Sequence, residues 1–114
     1  MIFSKNDSSK KISVQSVEGK LINGKLLVKP LIKGDDMTLL EVQLQSGDIT
    51  PFHAHSHESF IYVIKGKLKT IVGGEAYVLG PGDACRHPRQ VQHCVEAIEK
   101  STVIEIKSAI VDFT

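Results

Sequence analysis

The chain has 114 residues, enough for one domain, and its 41% hydrophobic and 24% charged residues make a globular rather than a disordered composition. Fourteen Lys and Arg against thirteen Asp and Glu leave a net charge of +1, which argues against nucleic acid as a partner because no basic field is present to hold a phosphate backbone. The longest apolar runs are a few residues, as in Phe60 to Ile64, where a membrane helix needs about 20, and the opening with Lys5, Asp7, Lys10 and Lys11 is unlike a secretory leader.

In chain order, residues 1–20 alternate weakly and carry a Ser, Lys and Asn bias. They read as a flexible arm or an edge strand ahead of a barrel over residues 21–114. Strand-like runs follow at 26–32, 38–44, 60–64, 67–72, 76–79, 91–97 and 102–107, and from Thr38 to Leu44 the even positions are the apolar ones, so one face is buried. Lys65-Gly66 and Gly73-Gly74 read as tight hairpins, and Gly80-Pro81-Gly82-Asp83 as a further turn. Short strands at this spacing predict an all-β sandwich or barrel. Cys85 and Cys94 are too few for a disulfide framework and read as reduced thiols of a cytoplasmic protein.

All five histidines fall between positions 53 and 93, three of them in Pro51-Phe52-His53-Ala54-His55-Ser56-His57. On an extended chain such alternate imidazoles share a face, which is how neutral nitrogens grip a divalent ion. A strand supplies only part of a coordination sphere, and His93 is the natural partner from elsewhere.

Gly47, His53, His55 and Gly66 fit the first motif of the cupins, and Gly82, Pro88 and His93 fit the second, in the right order. Tyr62-Val63-Ile64-Lys65-Gly66 is similar to a characteristic cupin stretch. The close of the chain, from Ile104 to Ser108 and on to Asp112-Phe113, resembles small conserved-barrel cupins, including the uronate ring-opening proteins of pectin breakdown. The resemblance implies a double-stranded β-helix, a jelly-roll barrel of two antiparallel sheets, with a divalent metal (Zn, Mn, Fe or Ni) on His53, His55 and His93. It implies a small oxygen-rich, anionic ligand and admits isomerase or lyase chemistry as well as dioxygenation. A non-enzymatic binding or sensing module with a decayed metal site is the alternative, and a barrel that is merely filled, in a structural dimer, is a third.

Three positions depart from the motifs: Ser59 stands where the acidic or amide ligand is expected, Gln90 where the second motif has glycine, and Ala97 where it has asparagine. Glu58 has the wrong parity to replace Ser59 unless a bulge intervenes. His57 shares the parity of His53 and His55 and lines the barrel mouth, supplies a fourth nitrogen or, as the default, faces solvent in the turn. His87 is expected in an outer shell or at the rim. Arg86 and Arg89 are candidates for a substrate carboxylate. Tyr62 and Tyr77 are possible proton donors, but Tyr62, Phe60 and Ile64 have outward parity, and such an apolar exterior predicts a homodimer.

Overall fold

The computed structural model describes residues 1–111, so Asp112 and Phe113 lie outside it. Alternating burial, strongest in Thr38–Leu44, drives seven strands: β1 Ile12–Val17, β2 Lys20–Lys33, β3 Thr38–Leu44, β4 Ser59–Val72, β5 Glu75–Leu79, β6 Ala84–His87 and β7 His93–Lys107. All pairings are antiparallel, in the order β1-β2-β3-β7-β4-β5, with β6 also on β4. β6 takes Ser59 to Tyr62 of β4 and β5 takes Leu68 to Val72, so the two short strands divide one long one between them.

The walls of the barrel are joined through β4 and β7, which bend at a cluster of register shifts between Val63 and Leu68. The segment 47–53 then closes the remaining gap along the first half of β7. Thr50 N–H donates to the Val95 carbonyl at 2.9 Å, and His53 and His93 exchange backbone bonds of 3.0 and 2.9 Å. Ile49 bridges to Asn23 at the start of β2. Inside sit Val28, Leu40, Val42, Leu44, Ile61, Val63, Leu68 and Val103, all buried. Burial of such side chains at about 25 cal/mol per Å² is the main force holding the walls together.

Lys65-Gly66 is not a hairpin. The chain runs straight through as β4, and Gly66, at φ +101°, forms a bulge instead. The reason lies across the sheet. The Ser101 hydroxyl accepts the Lys67 N–H at 3.0 Å and donates to the Glu99 carbonyl at 2.8 Å, so the bulge leaves that donor satisfied. Likewise the run at 102–107 and the run at 91–97 from His93 onward belong to one strand, β7. β6 is an addition that its short, polar sequence hid. A Cβ on Gly66 would meet Ser101 and the Lys100 carbonyl. Gly66→Ala is therefore expected to cost about 2–4 kcal/mol in urea unfolding, the sum of backbone strain and overpacking. A loss below about 0.5 kcal/mol would show that the bulge re-forms without glycine.

Candidate metal centre

His53 and His93 are held opposite each other by the paired backbone bonds just described, and His55 follows two residues on. One ring nitrogen from each of the three lies within 4.8 Å of the others. The rings are splayed rather than stacked: His53 meets His93 at 4.2 Å and 61°, and His55 at 4.8 Å and 70°, between centroids. Such a disposition brings the three rings edge to face around a common centre instead of layering them.

Each ring also has its Nδ1 committed elsewhere. His53 Nδ1 lies 2.7 Å from the Pro51 carbonyl, His93 Nδ1 3.1 Å from the Val91 carbonyl, and His55 Nδ1 2.7 Å from the Glu18 carboxylate. A carbonyl or carboxylate oxygen can only accept, so Nδ1 carries the hydrogen and Nε2 keeps its lone pair free. Burial lowers the pKa of His53 and pushes that of His93 down to about 4. Both rings are neutral at pH 7, the form that binds metals. Glu18, at φ +49° in the β1–β2 turn, is pulled below the usual carboxylate range first by its hydrogen bond to His55. Gln90 occupies the motif's glycine position with φ +61°, and its N–H donates to the His55 carbonyl at 2.8 Å. The turn therefore keeps its left-handed shape without glycine and ties down the backbone of His55.

His87 is not at the rim. It is 2% exposed and stacks on His93 at 4.0 Å and 11°, in the floor of the cavity. Thr70 Oγ1 donates to the Cys94 carbonyl at 3.0 Å and so accepts from His87 Nε2 at 2.9 Å, which fixes the tautomer. Burial pushes the His87 pKa down to about 3. His57 is half-buried, not turned to solvent. It stacks on His55 at 4.6 Å, its pKa is lowered by burial to about 4, and its enclosed Nε2 has no hydrogen-bond partner among the described residues.

Ser59 points inward from β4, buried, with His87 and Lys107 as its register partners on either side. Glu58 and Arg86 instead bond each other at 2.9 Å, with the Arg86 side chain mostly exposed, and Arg89 is exposed too. None of these three joins the histidines. Tyr62 and Tyr77 are about half exposed on the outside. Cys85 and Cys94 are free thiols whose pKa burial raises, that of Cys85 to about 11, so both stay protonated and unreactive.

Sequence reasoning missed Glu105 and Lys107. Both project inward from β7, with Lys107 Nζ 3.6 Å from Glu105 Oε2 and side chains 11% and 17% exposed. The signal was parity. Counting in twos from His93 along β7 passes Val95 and Ala97, crosses exposed Glu99 at the bend, and resumes at Ser101, Val103, Glu105 and Lys107, while Ile104 and Ile106 face outward against Tyr62 and Phe60. Glu105 joins His53, His55, His87, His93 and Thr50 as the polar lining of a cavity of about 80 Å³ whose other walls are apolar. That volume holds a few water-sized groups, a scale that suits a small metabolite.

The Cupin domain family model matches residues 40–106. The pectin degradation protein KdgF of Dickeya dadantii (strain 3937) is 30% identical over 71 residues, 61% of this chain and 64% of that protein, so the chain spans less than two-thirds of its relative. Among solved structures, KdgF from Halomonas sp. superposes with a TM-score of 0.82 at 28% identity, covering 98% of this chain and 96% of that one. An RmlC-like cupin from Shewanella frigidimarina NCIMB 400 gives 0.83 at 23% identity over 100% and 96%, a likeness of fold. With both histidine motifs inside the matched region and the barrel closed around them, this chain belongs to the cupin family.

Proposed function

We propose that the chain is a metal-dependent enzyme acting on a small, oxygen-rich, anionic metabolite, with His53, His55 and His93 as the metal ligands. The carrying observation is that three imidazoles, each with Nδ1 anchored, bring one ring nitrogen apiece within 4.8 Å of one another at the cavity. A divalent ion held there would act as a Lewis acid on carbonyl or hydroxyl oxygens of the substrate. Glu105, on the same cavity, is the chain's carboxylate placed to take or return a proton, and the apolar walls exclude water from that exchange. Likeness to pectin degradation proteins supports a uronate-type sugar acid, and isomerase or lyase chemistry over oxygenation.

The binding-module reading draws on Ser59, which puts a hydroxyl where the motif has a stronger ligand. Elemental analysis of untagged protein, joined to a turnover screen of uronates and keto acids with and without chelator, separates the two. About one metal per chain and turnover that chelation abolishes are expected. Glu105→Gln should lower kcat about a hundredfold with metal content unchanged. Turnover surviving metal removal would sink the mechanism, and a metal-free barrel that still binds these acids would establish the module.

The outer face of β4 supports a homodimer. Phe60, Tyr62 and Ile64 are each about half exposed, with Ile106 and Ile104 beside the first two across the ladder. Monomers rarely leave such a strip uncovered. Light scattering at micromolar concentration is expected to give twice the 12.5 kDa chain mass. A mass of one chain would refute it.

A further inference from the structure

Of the described lysines and arginines, Lys107 alone is buried, on the inward face of β7; it is not itself among the residues lining the cavity but sits beside one of them, Glu105. Its ammonium is poorly served there. Glu105 is its one ionic neighbour among the described residues, at 3.6 Å, beyond hydrogen-bond distance. Its register partners across the sheet are Ser59 and Thr38, and the Thr38 hydroxyl is already committed, donating to the Ala109 carbonyl at 2.7 Å and accepting the Val111 N–H at 3.1 Å. Its donors make no hydrogen bond among the described residues, which leaves them for an acidic group. The charge also reaches the histidines, since it contributes to lowering the pKa of His53, His57 and His87. Arg86 and Arg89, by contrast, face solvent.

We propose that Lys107 is the carboxylate-recognising group of the cavity: an acidic ligand docks on its Nζ, replacing the long contact to Glu105 with charge-assisted hydrogen bonds. This deepens the enzyme reading and rests on it for the ligand's remaining oxygens, which then face His53, His55 and His93. The step is an exchange of ionic partners, with no covalent bond made or broken. It frees the Glu105 carboxylate from its cation while the substrate is bound, and it makes Lys107 the specificity determinant between an acid and its neutral analogue.

Titration calorimetry with two matched pairs tests this: pyruvate against hydroxyacetone, and D-galacturonate against D-galactose. Within each pair the acid carries a carboxylate where its partner has a hydroxymethyl group. Wild-type protein should bind the acid at least about tenfold more tightly, equivalent to about 1.4 kcal/mol. Lys107→Met should lose that preference and Lys107→Arg should keep most of it, with metal content equal in all three. The same titrations on chelator-stripped protein separate this assignment from the metal reading: a preference that survives stripping and vanishes in Lys107→Met supports Lys107 even if the metal centre fails. Equal binding of acid and neutral partner to wild type, binding of neither, a preserved preference in Lys107→Met, or metal lost with the lysine would each overturn it. The wild-type arm decides alone if the methionine variant does not fold.

Discussion

His93→Ala is expected to lower the affinity for a divalent ion by at least about a hundredfold, beyond the ten- to hundredfold that losing an outer-shell partner costs. The reason is twofold. One of three converging nitrogens is removed, and the ring that stacks on His87 and packs at 4.2 Å from His53 is lost with it, so the two remaining rings lose their lateral support. His53→Ala and His55→Ala should match it, whereas Glu18→Gln, which leaves an acceptor for His55 Nδ1 but removes the charge, should cost only about tenfold. His57→Ala should retain the metal. Competition against a chromophoric chelator measures all five variants. If His57→Ala strips the metal as completely as His55→Ala, the alternating run itself is the binding unit and His93 is a neighbour.

The metal-free protein is expected to unfold as pH falls from about 6.5 toward 4. Burial holds His87 at about 3 and His57 and His93 at about 4, against 6.5 for a free imidazole, so the unfolded chain binds protons over this range that the native barrel refuses. Stability is therefore fully present above about 6.5 and drains away as pH drops toward the native values. His87 alone, 2% exposed, removes on the order of 3 kcal/mol by pH 4. The other two add smaller amounts, and typical domains hold only about 5–15 kcal/mol in all. Urea midpoints measured on stripped protein at pH 7.5, 6, 5 and 4 should fall steeply below pH 6.5. His87→Gln should flatten the curve, since its amide does not titrate, and a pH-independent midpoint would mean that the histidines bind protons in the fold as readily as in the unfolded chain. Saturating zinc should protect the wild type, because an ion that binds only the native state and only neutral rings opposes protonation.

The reading of β3 from sequence holds residue by residue, since Thr38, Leu40, Val42 and Leu44 are the buried positions. It holds because a period of two is a local property of an extended chain with one wet face. Gly73-Gly74 does join two strands, whereas Lys65-Gly66 does not. Gly73-Gly74 can take positive φ at both turn positions and Lys65-Gly66 at only one, but what makes the latter a bulge is Ser101, 34 residues beyond Lys67, whose hydroxyl takes the N–H of Lys67. No local pattern carries that information.

The same division runs through the site. The resemblance to both cupin motifs, rather than the bare H-x-H spacing, singles out His53, His55 and His93, and the fold brings those three together. The outward parity of Phe60, Tyr62 and Ile64 and the wrong parity of Glu58 were equally legible. Burial depth was not: His87 sits in the cavity floor because β6 pairs with β4 opposite Ser59, a pairing between segments joined by no short turn. Nor was the chemistry of the cavity's charges. Arg86 and Arg89 look like substrate ligands beside the second motif but face away. Glu105 and Lys107 look like solvent-facing members of an amphipathic strand, and turn inward. Alternation says that two faces differ, and here one face carries isoleucines and the other charges. Only closure of the barrel, with β7 held between β3, β4 and the segment 47–53, decides that the charged face is the inner one.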